Sequence, residues 1–416
     1  MERDFDLQTA RARVEQFLSK RRLRQELVAF GKHIVTVCCV IKDENDDYQD
    51  FGYGKGSIEA AYVGALYEAT EHFLTQNNNI GSDTKSLVQF PLSVADQGLN
   101  SSYIFDHMAN QKCSTPCLRY KSLNSPTDRV VYLPIGFSNP KYVDMIVSDP
   151  NGRGSDTYDY STIDRYCTNS GMAIGGTASE AIIHGLTEAI ERETLSKLLV
   201  QCFLYRDLRN LKKISPHTLS RDHTILLRHA VAELGSAVSV FWMVNDLGVP
   251  VFAAQRADLK QARQFGGFGC SLSASHAFER SLHELVQCFH AGTFFYPEAY
   301  EKHTETVTTK LKRHSFHMDC FNLNLEAAWS GCGGKEVDFS EISQAPIPTD
   351  TNSYLAELLE KCDSCDLRVF SSEVHSDQSG LALWHTFIDG YDPFFCATEG
   401  CLVFPYELHQ QISALQ

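Results

Sequence analysis

No stretch of this chain approaches the roughly 20 consecutive apolar residues that a membrane-spanning helix needs, which excludes a helical span. The first thirty residues also lack the apolar run of a signal peptide. They read as one charged amphipathic helix, and the expected location is the cytoplasm. Positive charge is scarce: 37 Lys and Arg face 52 Asp and Glu, for a net charge of −15. That balance argues against a nucleic-acid surface or a basic membrane-bound face. It suits a neutral or basic peptide better than an acidic one. No GxxxxGK[ST] run occurs, so any bound nucleotide is held by something other than a P-loop. Cysteine, by contrast, is plentiful at 14. Without a signal peptide these residues read as buried thiols rather than disulfides. Cys113 with Cys117, and Cys362 with Cys365, have zinc-like spacing, but the two pairs would have to meet across most of the chain.

What the chain does have is one block written three times. Residues 54–72 read GKGSIEAAYVGALYEATEH, residues 171–192 read GMAIGGTASEAIIHGLTEAIER, and residues 267–287 read GFGCSLSASHAFERSLHELVQ. Each is a glycine-rich entry, a small-residue helix and a polar pair near the helix end. Aligned on Glu68, Glu188 and Glu284, the blocks superpose Ala61, Ala181 and Ala277, and also Leu66, Leu186 and Leu282. Three residues after each aligned glutamate stand Glu71, Glu191 and Gln287.

Residues three apart share one helix face. Each block therefore presents two carboxyl or amide groups side by side, while its leucine points into a core. An ExxE step alone is ordinarily a solvated face. Three copies in one apolar register predict helices that converge. Carboxylates brought that close repel unless a cation neutralises them. Magnesium is oxygen-seeking and commonly arrives with phosphates. Arg192 follows Glu191, Arg280 precedes Glu284 by one turn, and Lys55 lies between two glycines where backbone can approach a phosphate. His72 takes in block one the place of Arg192 in block two. The set predicts a metal–nucleotide site.

These motifs, in this order, resemble the YcaO family. The resemblance rests on the Gly-Lys-Gly-Ser opening with its ExxE, the NSGMAIGGT…HGLTEAIER run and the A-x-x-R-S-L-x-E-x-x-Q run. Residues 240–252 (VFWMVNDLGVPVF) also resemble the strand–turn–strand that precedes the family's third block. The resemblance implies an α+β fold with a single large domain, in which the three helices converge on one nucleotide site and pack with β-sheets. Residues 1–50 form a helical and strand extension, and residues 51–416 the YcaO domain, with its motif core at 54–287. It implies ATP- and Mg2+-dependent activation of a peptide backbone amide. A Cys, Ser or Thr side chain then gives an azoline ring, external sulfide a thioamide, and an amine an amidine. Lys55 and Ser57 are implied to touch the nucleotide. Glu68, Glu71, Glu188, Glu191 and Glu284 are implied to hold magnesium, Arg192 and Arg280 phosphates, and Gln287 completes the shell. His72 and His184 belong to the same cofactor-binding set, standing where the family often has Arg and Ser. No catalytic residue is assigned.

The implied partners are a peptide or protein substrate and a leader-peptide-binding or TfuA-like subunit, with a homodimer left open. Cyclodehydratases of this family usually end in a proline-rich tail, whereas the last proline here is Pro405. Ring formation leads, with thioamidation close behind. A non-catalytic ATP-binding scaffold and a zinc protein are the competing classes.

The remaining pattern predicts strands at 33–41, 130–135, 142–147, 368–374, 381–389 and 394–398, a polar turn at 43–53 and a loop at 150–159. Residues 303–340 carry no legible assignment.

Overall fold

The computed structural model describes residues 2–77, 85–89, 97–100, 102–109, 112–125, 127–148, 156–161, 163–257, 265–331, 334–342 and 346–408. Helix α1 (Leu7–Lys20) leads into strands β1 (Arg24–Phe30), β2 (Val35–Lys42) and β3 (Tyr48–Gly56), backed by α2 (Ile58–Asn77). Next come β4 (Lys85–Gln89), α3 (Tyr103–Ala109), β5 (Ser114–Ser122), β6 (Val130–Pro134), α4 (Pro140–Ser148), β7 (Met172–Gly175) and α5 (Ala178–Leu199). These are followed by β8 (Leu211–Ile214), α6 (Arg221–Leu234), β9 (Val238–Met243), β10 (Val251–Arg256), β11 (Gly266–Cys270) and α7 (Ala274–His290). The last stretch holds α8 (Pro297–Leu311), α9 (Ser315–Phe321), α10 (Leu325–Gly331), β12 (Glu336–Val337), α11 (Thr351–Ser364), β13 (Val369–Ser376) and β14 (Ala382–Ile388).

The strands form three sheets, ordered β1-β2-β3, β4-β5-β13-β14-β7 (with β6 on β5) and β11-β10-β9-β8-β12. Each repeated block is a strand and the helix that follows it: β3–α2, β7–α5 and β11–α7. Each block strand stands at the end of its sheet. Glycines let each helix fold back onto its own strand. A Cβ on Gly54 would lie 1.7 Å from the Ala61 carbonyl oxygen, one on Gly269 2.2 Å from that of Ala277, and one on Gly175 2.6 Å from the Ala181 nitrogen. Gly54 therefore serves the strand–helix contact, whereas a Cβ on Gly56 would meet only His283 and Ala60 side-chain atoms, at 3.6–3.8 Å.

Ala61, Ala181, Ala277, Leu66, Leu186 and Leu282 are all fully buried, at 0% exposure, so the shared register is a shared core register. Helix α5 is buried on nearly every side: Ile183, Leu186 and Ile190 on one face, and Ile182, Thr187 and Thr194 on others.

Strands β2, β6, β13 and β14, and the β9–turn–β10 hairpin, lie where the pattern predicts them. Four expectations are corrected. Of the polar turn expected at 43–53, residues 48–53 belong to strand β3, paired with β2. Residues 1–30 are not one helix, because α1 stops at Lys20 and β1 follows. Residues 142–147 belong to helix α4, because Pro140 opens it, the Asn139 side chain accepts from the Tyr142 N–H at 3.0 Å, and Val143 and Ile146 are buried at helical spacing. Residues 394–398 lie in a 3-10 turn, Pro393–Glu399, pinned where the Phe395 N–H donates to Ser196 Oγ at 2.9 Å. The boundary drawn after residue 50 falls inside β3. The loop assigned at 150–155 lies outside the described residues.

The described cysteines are free thiols. Cys113 and Cys117 sit in one core cluster and Cys362 in another. Burial pushes the Cys113 thiol up to about 11 and that of Cys362 up to about 12, so both stay protonated. No zinc-type grouping occurs among the described residues, and no described helix is long and apolar enough to cross a membrane.

Candidate active site

The three block helices converge. Glu71, from block one, accepts from the Ile174 N–H of block two at 3.1 Å. Lys55, also from block one, pairs with Glu284 of block three at 2.8 Å. Glu191 and Glu284 repel one another across blocks two and three, while Arg280 attracts Glu191. Glu68 accepts from the Tyr53 N–H at 3.2 Å, and Arg192 lies 3.8 Å from Glu188.

This crowding shows in proton affinity. Burial, then Glu188 and Glu68, hold the Glu71 carboxyl well above the usual range. Burial and the Glu284 charge push Glu191 up to about 7 despite Arg192 and Arg280. Glu188 is raised by burial and by Glu284 and Glu68, with Arg192 opposing, and Glu68 is raised by burial against His72 and Lys55. Glu284 alone is lowered: Lys55, Arg192 and Arg280 together outweigh its burial.

The residues fit a cation with phosphates. Five carboxylates outnumber the three fixed cations among them. Two buried polar atoms, Arg192 Nε and Gln287 Oε1, have no hydrogen-bond partner. Among the described residues no three acidic, His or Cys side chains are close enough to grip an ion unaided. A bound magnesium ion would therefore take part of its shell from phosphate oxygens and water, as this ion commonly does.

The remaining site residues are placed as follows. Ser57 is exposed, and its hydroxyl accepts from the Ala60 N–H at 3.3 Å, capping α2. His72 is half-buried; its Nδ1 donates to the Phe51 carbonyl at 2.7 Å and the ring faces Glu68 rather than water alone. His184 stands open to solvent in the cleft. The nearby positive charges of Arg280, Arg3 and Lys55 lower its pKa.

One residue has no counterpart in the sequence argument. Glu2 accepts from Ser271 Oγ and from the Tyr354 hydroxyl, both at 2.6 Å, and lies 3.7 Å from Arg280. His276 and Arg280 hold its carboxyl far below the usual range against its burial. Asp4 extends the same strap, accepting from Thr177 at 2.7 Å and Thr351 at 2.6 Å. A lone acid near a chain terminus carries no pattern, so only the folded chain reveals it. Both α5 and α7 run on into π-helical turns, Val200–Tyr205 and Ala291–Phe295, a feature frequent at functional sites.

A profile of the YcaO cyclodehydratases, described as ATP- and Mg2+-binding, matches residues 51–392. The chain belongs to the YcaO family. ATP and Mg2+ are accordingly its cofactors. Its fold is similar to that of the YcaO from Methanopyrus kandleri bound with AMPPCP and Mg2+, with a TM-score of 0.66 and 16% identity over 97% of this chain and 96% of that one. A heterocyclase in complex with substrate and cofactor is also similar, with a TM-score of 0.64 and 14% identity over 94% of this chain and 53% of that one. In sequence, 128 residues are 27% identical to a Rhizobium leguminosarum bv. trifolii protein described as "uncharacterized protein in tfuA 3'region". That segment is 29% of this chain and 30% of the relative, so the chain matches under a third of the relative's length.

The YcaO carboxylate cluster predicts a pH effect. Folding raises the pKa of Glu191 from 4.5 to about 7. A folded-state pKa above the unfolded one favours the native state at low pH, and that stability is lost as pH rises through about 7. The melting temperature without ligands is expected to fall between pH 5 and pH 8. Mg–ATP should restore it, and more strongly at pH 8, because the ion binds the ionised carboxylates. A thermal-shift series with and without Mg–ATP checks this. A flat profile would mean the carboxylates do not crowd one another.

Proposed function

We propose that this chain activates a backbone amide of a peptide or protein substrate by ATP- and Mg2+-dependent phosphorylation, and that a Cys, Ser or Thr side chain then closes an azoline ring. The observation that carries the reading is the meeting of five glutamates from three helices, interleaved with Lys55, Arg192 and Arg280. Amide-oxygen phosphorylation needs charge spread over the moving phosphoryl group and a fixed geometry. Magnesium, when bound, neutralises phosphate charge and aligns phosphate oxygens. Arg192 and Arg280 supply fixed guanidinium donors for the same oxygens. Lys55 neutralises Glu284 while the cleft is unliganded.

In the full reaction the side-chain heteroatom adds to the amide carbon, the amide oxygen takes the γ-phosphoryl group of ATP, and phosphate then leaves with that oxygen. The products are ADP, phosphate and a substrate lighter by one water. A substrate amide labelled with heavy oxygen must therefore deliver the label to inorganic phosphate. Label remaining in the peptide, or ATP consumption without labelled phosphate, would sink the reading, and ATP binding with no consumption would favour a nucleotide-binding scaffold.

Thioamidation with a TfuA-like partner is the second reading, favoured by the relative in a tfuA 3' region. Mass spectrometry of the product separates the two: loss of one water against replacement of one oxygen by sulfur, the latter needing sulfide and the partner.

A further inference from the structure

Between α5, β14 and the Pro393–Glu399 turn lies a cavity of about 130 Å3. Arg192 lines it and sits 5.2 Å over the ring of Phe395. The same guanidinium is in the field of Glu188, Glu191 and Glu284. One side chain thus borders both the carboxylate cluster and the cavity.

The walls are largely apolar: Phe105, Leu133, Phe137, Phe387, Tyr391 and Phe395. One polar atom on them, Thr386 Oγ1, is buried and has no hydrogen-bond partner. Buried polar groups are nearly always satisfied, so such an atom beside a cavity points to a ligand. His385 also faces it, but both ring nitrogens are engaged, Nδ1 with the Tyr120 hydroxyl at 2.9 Å and Nε2 with the Ser170 carbonyl at 3.0 Å. The carboxyls of Glu193 and Asp392 face the cavity as well. Each is held elsewhere: Glu193 accepts from the Asp392 N–H at 3.2 Å and Asp392 from the Tyr406 N–H at 2.5 Å. An anionic occupant would meet these carboxyls, and a cationic one the Arg192 guanidinium and aromatic walls. A cavity of this size matches those that take one benzene-sized group.

We propose that this cavity receives the side chain of a large uncharged residue, aromatic or aliphatic, next to the amide that is phosphorylated, and that Thr386 Oγ1 meets the substrate backbone there. This rests on the amide-activation reading. It makes the cavity the determinant of which residue neighbours the modified position.

The test is ligand-observed NMR on the full chain with N-acetyl-phenylalanine N-methylamide and its aspartate counterpart, with Mg–AMPPNP binding measured separately by calorimetry. The phenylalanine amide is expected to bind at least about 10-fold more tightly than the aspartate amide, the discrimination one apolar pocket supplies. Ala189→Phe, which fills the cavity from α5, should abolish that preference. Thr386→Val, equal in shape, should weaken binding several-fold, and it carries the test if Ala189→Phe does not fold. Equal binding of the two amides, or unchanged binding in Thr386→Val, overturns the proposal. Nucleotide binding without amide binding also overturns the cavity proposal while leaving the nucleotide site intact. Amide binding without nucleotide binding supports the cavity and overturns the activation reading.

Discussion

Glu191→Gln is expected to weaken Mg–ATP binding by at least about 30-fold, roughly 2 kcal/mol, and to raise the melting temperature of the nucleotide-free protein. The two effects have one cause. Glu191 is only 5% exposed and faces the Glu284 charge, and burial with that charge raises its pKa to about 7. Ionised and unliganded, it costs the fold energy; with magnesium present, it supplies an oxygen. An amide of the same shape removes the repulsion and the strong ligand together. Sites that store such strain trade stability for function. Titration calorimetry of wild type and variant, beside a thermal melt of each, reads both arms. Unchanged nucleotide affinity would mean that the helices meet for packing and that the carboxylates hold no ion. A lowered melting temperature without nucleotide would mean that Glu191 is a structural partner.

Gly54→Ala should cost at least about 3 kcal/mol, although it adds a single methyl group to a strand. That methyl would lie 1.7 Å from the Ala61 carbonyl oxygen and 2.4 Å from the Ala65 nitrogen, both backbone atoms that no side-chain rotation can move. Helix α2 would have to lift off β3, taking Glu68 and Glu71 away from their partners in the other blocks. Gly235→Ala is the control. Nothing lies within 4 Å of its would-be Cβ, and only its φ of +60° resists the change, for a cost of about 1 kcal/mol. Urea midpoints of the two variants should differ clearly, with Gly54→Ala alone losing Mg–ATP binding. Equal midpoints would contradict the strand–helix contact.

Much of the site was legible because it is periodic. Glu68, Glu188 and Glu284 could be aligned only by assuming that Ala61, Ala181 and Ala277 pack alike, and all three are fully buried. The cluster's cations were legible from helix spacing: Arg192 stands four residues after Glu188 and Arg280 four before Glu284, each on its glutamate's helix face. Local rules failed where two signals compete. Residues 142–147 (YVDMIV) are apolar and β-branched enough for a strand, yet Pro140 and the Asn139 side chain start a helix there. Phe394 to Thr398 are apolar enough for a strand, but Pro393 and the Ser196 hydroxyl wind them into a 3-10 turn.

The chain's order of residues determined the three blocks, the helix face each glutamate occupies and the excess of carboxylates over cations, because side-chain spacing on a helix is a local property. Tertiary structure alone decided which blocks touch through which atoms: Glu71 with Ile174, and Lys55 with Glu284. It alone laid Glu2 on Arg280 and left a cavity beside Arg192. These contacts join residues tens to hundreds of positions apart. Long-range packing sets them, and no local pattern of residues records it.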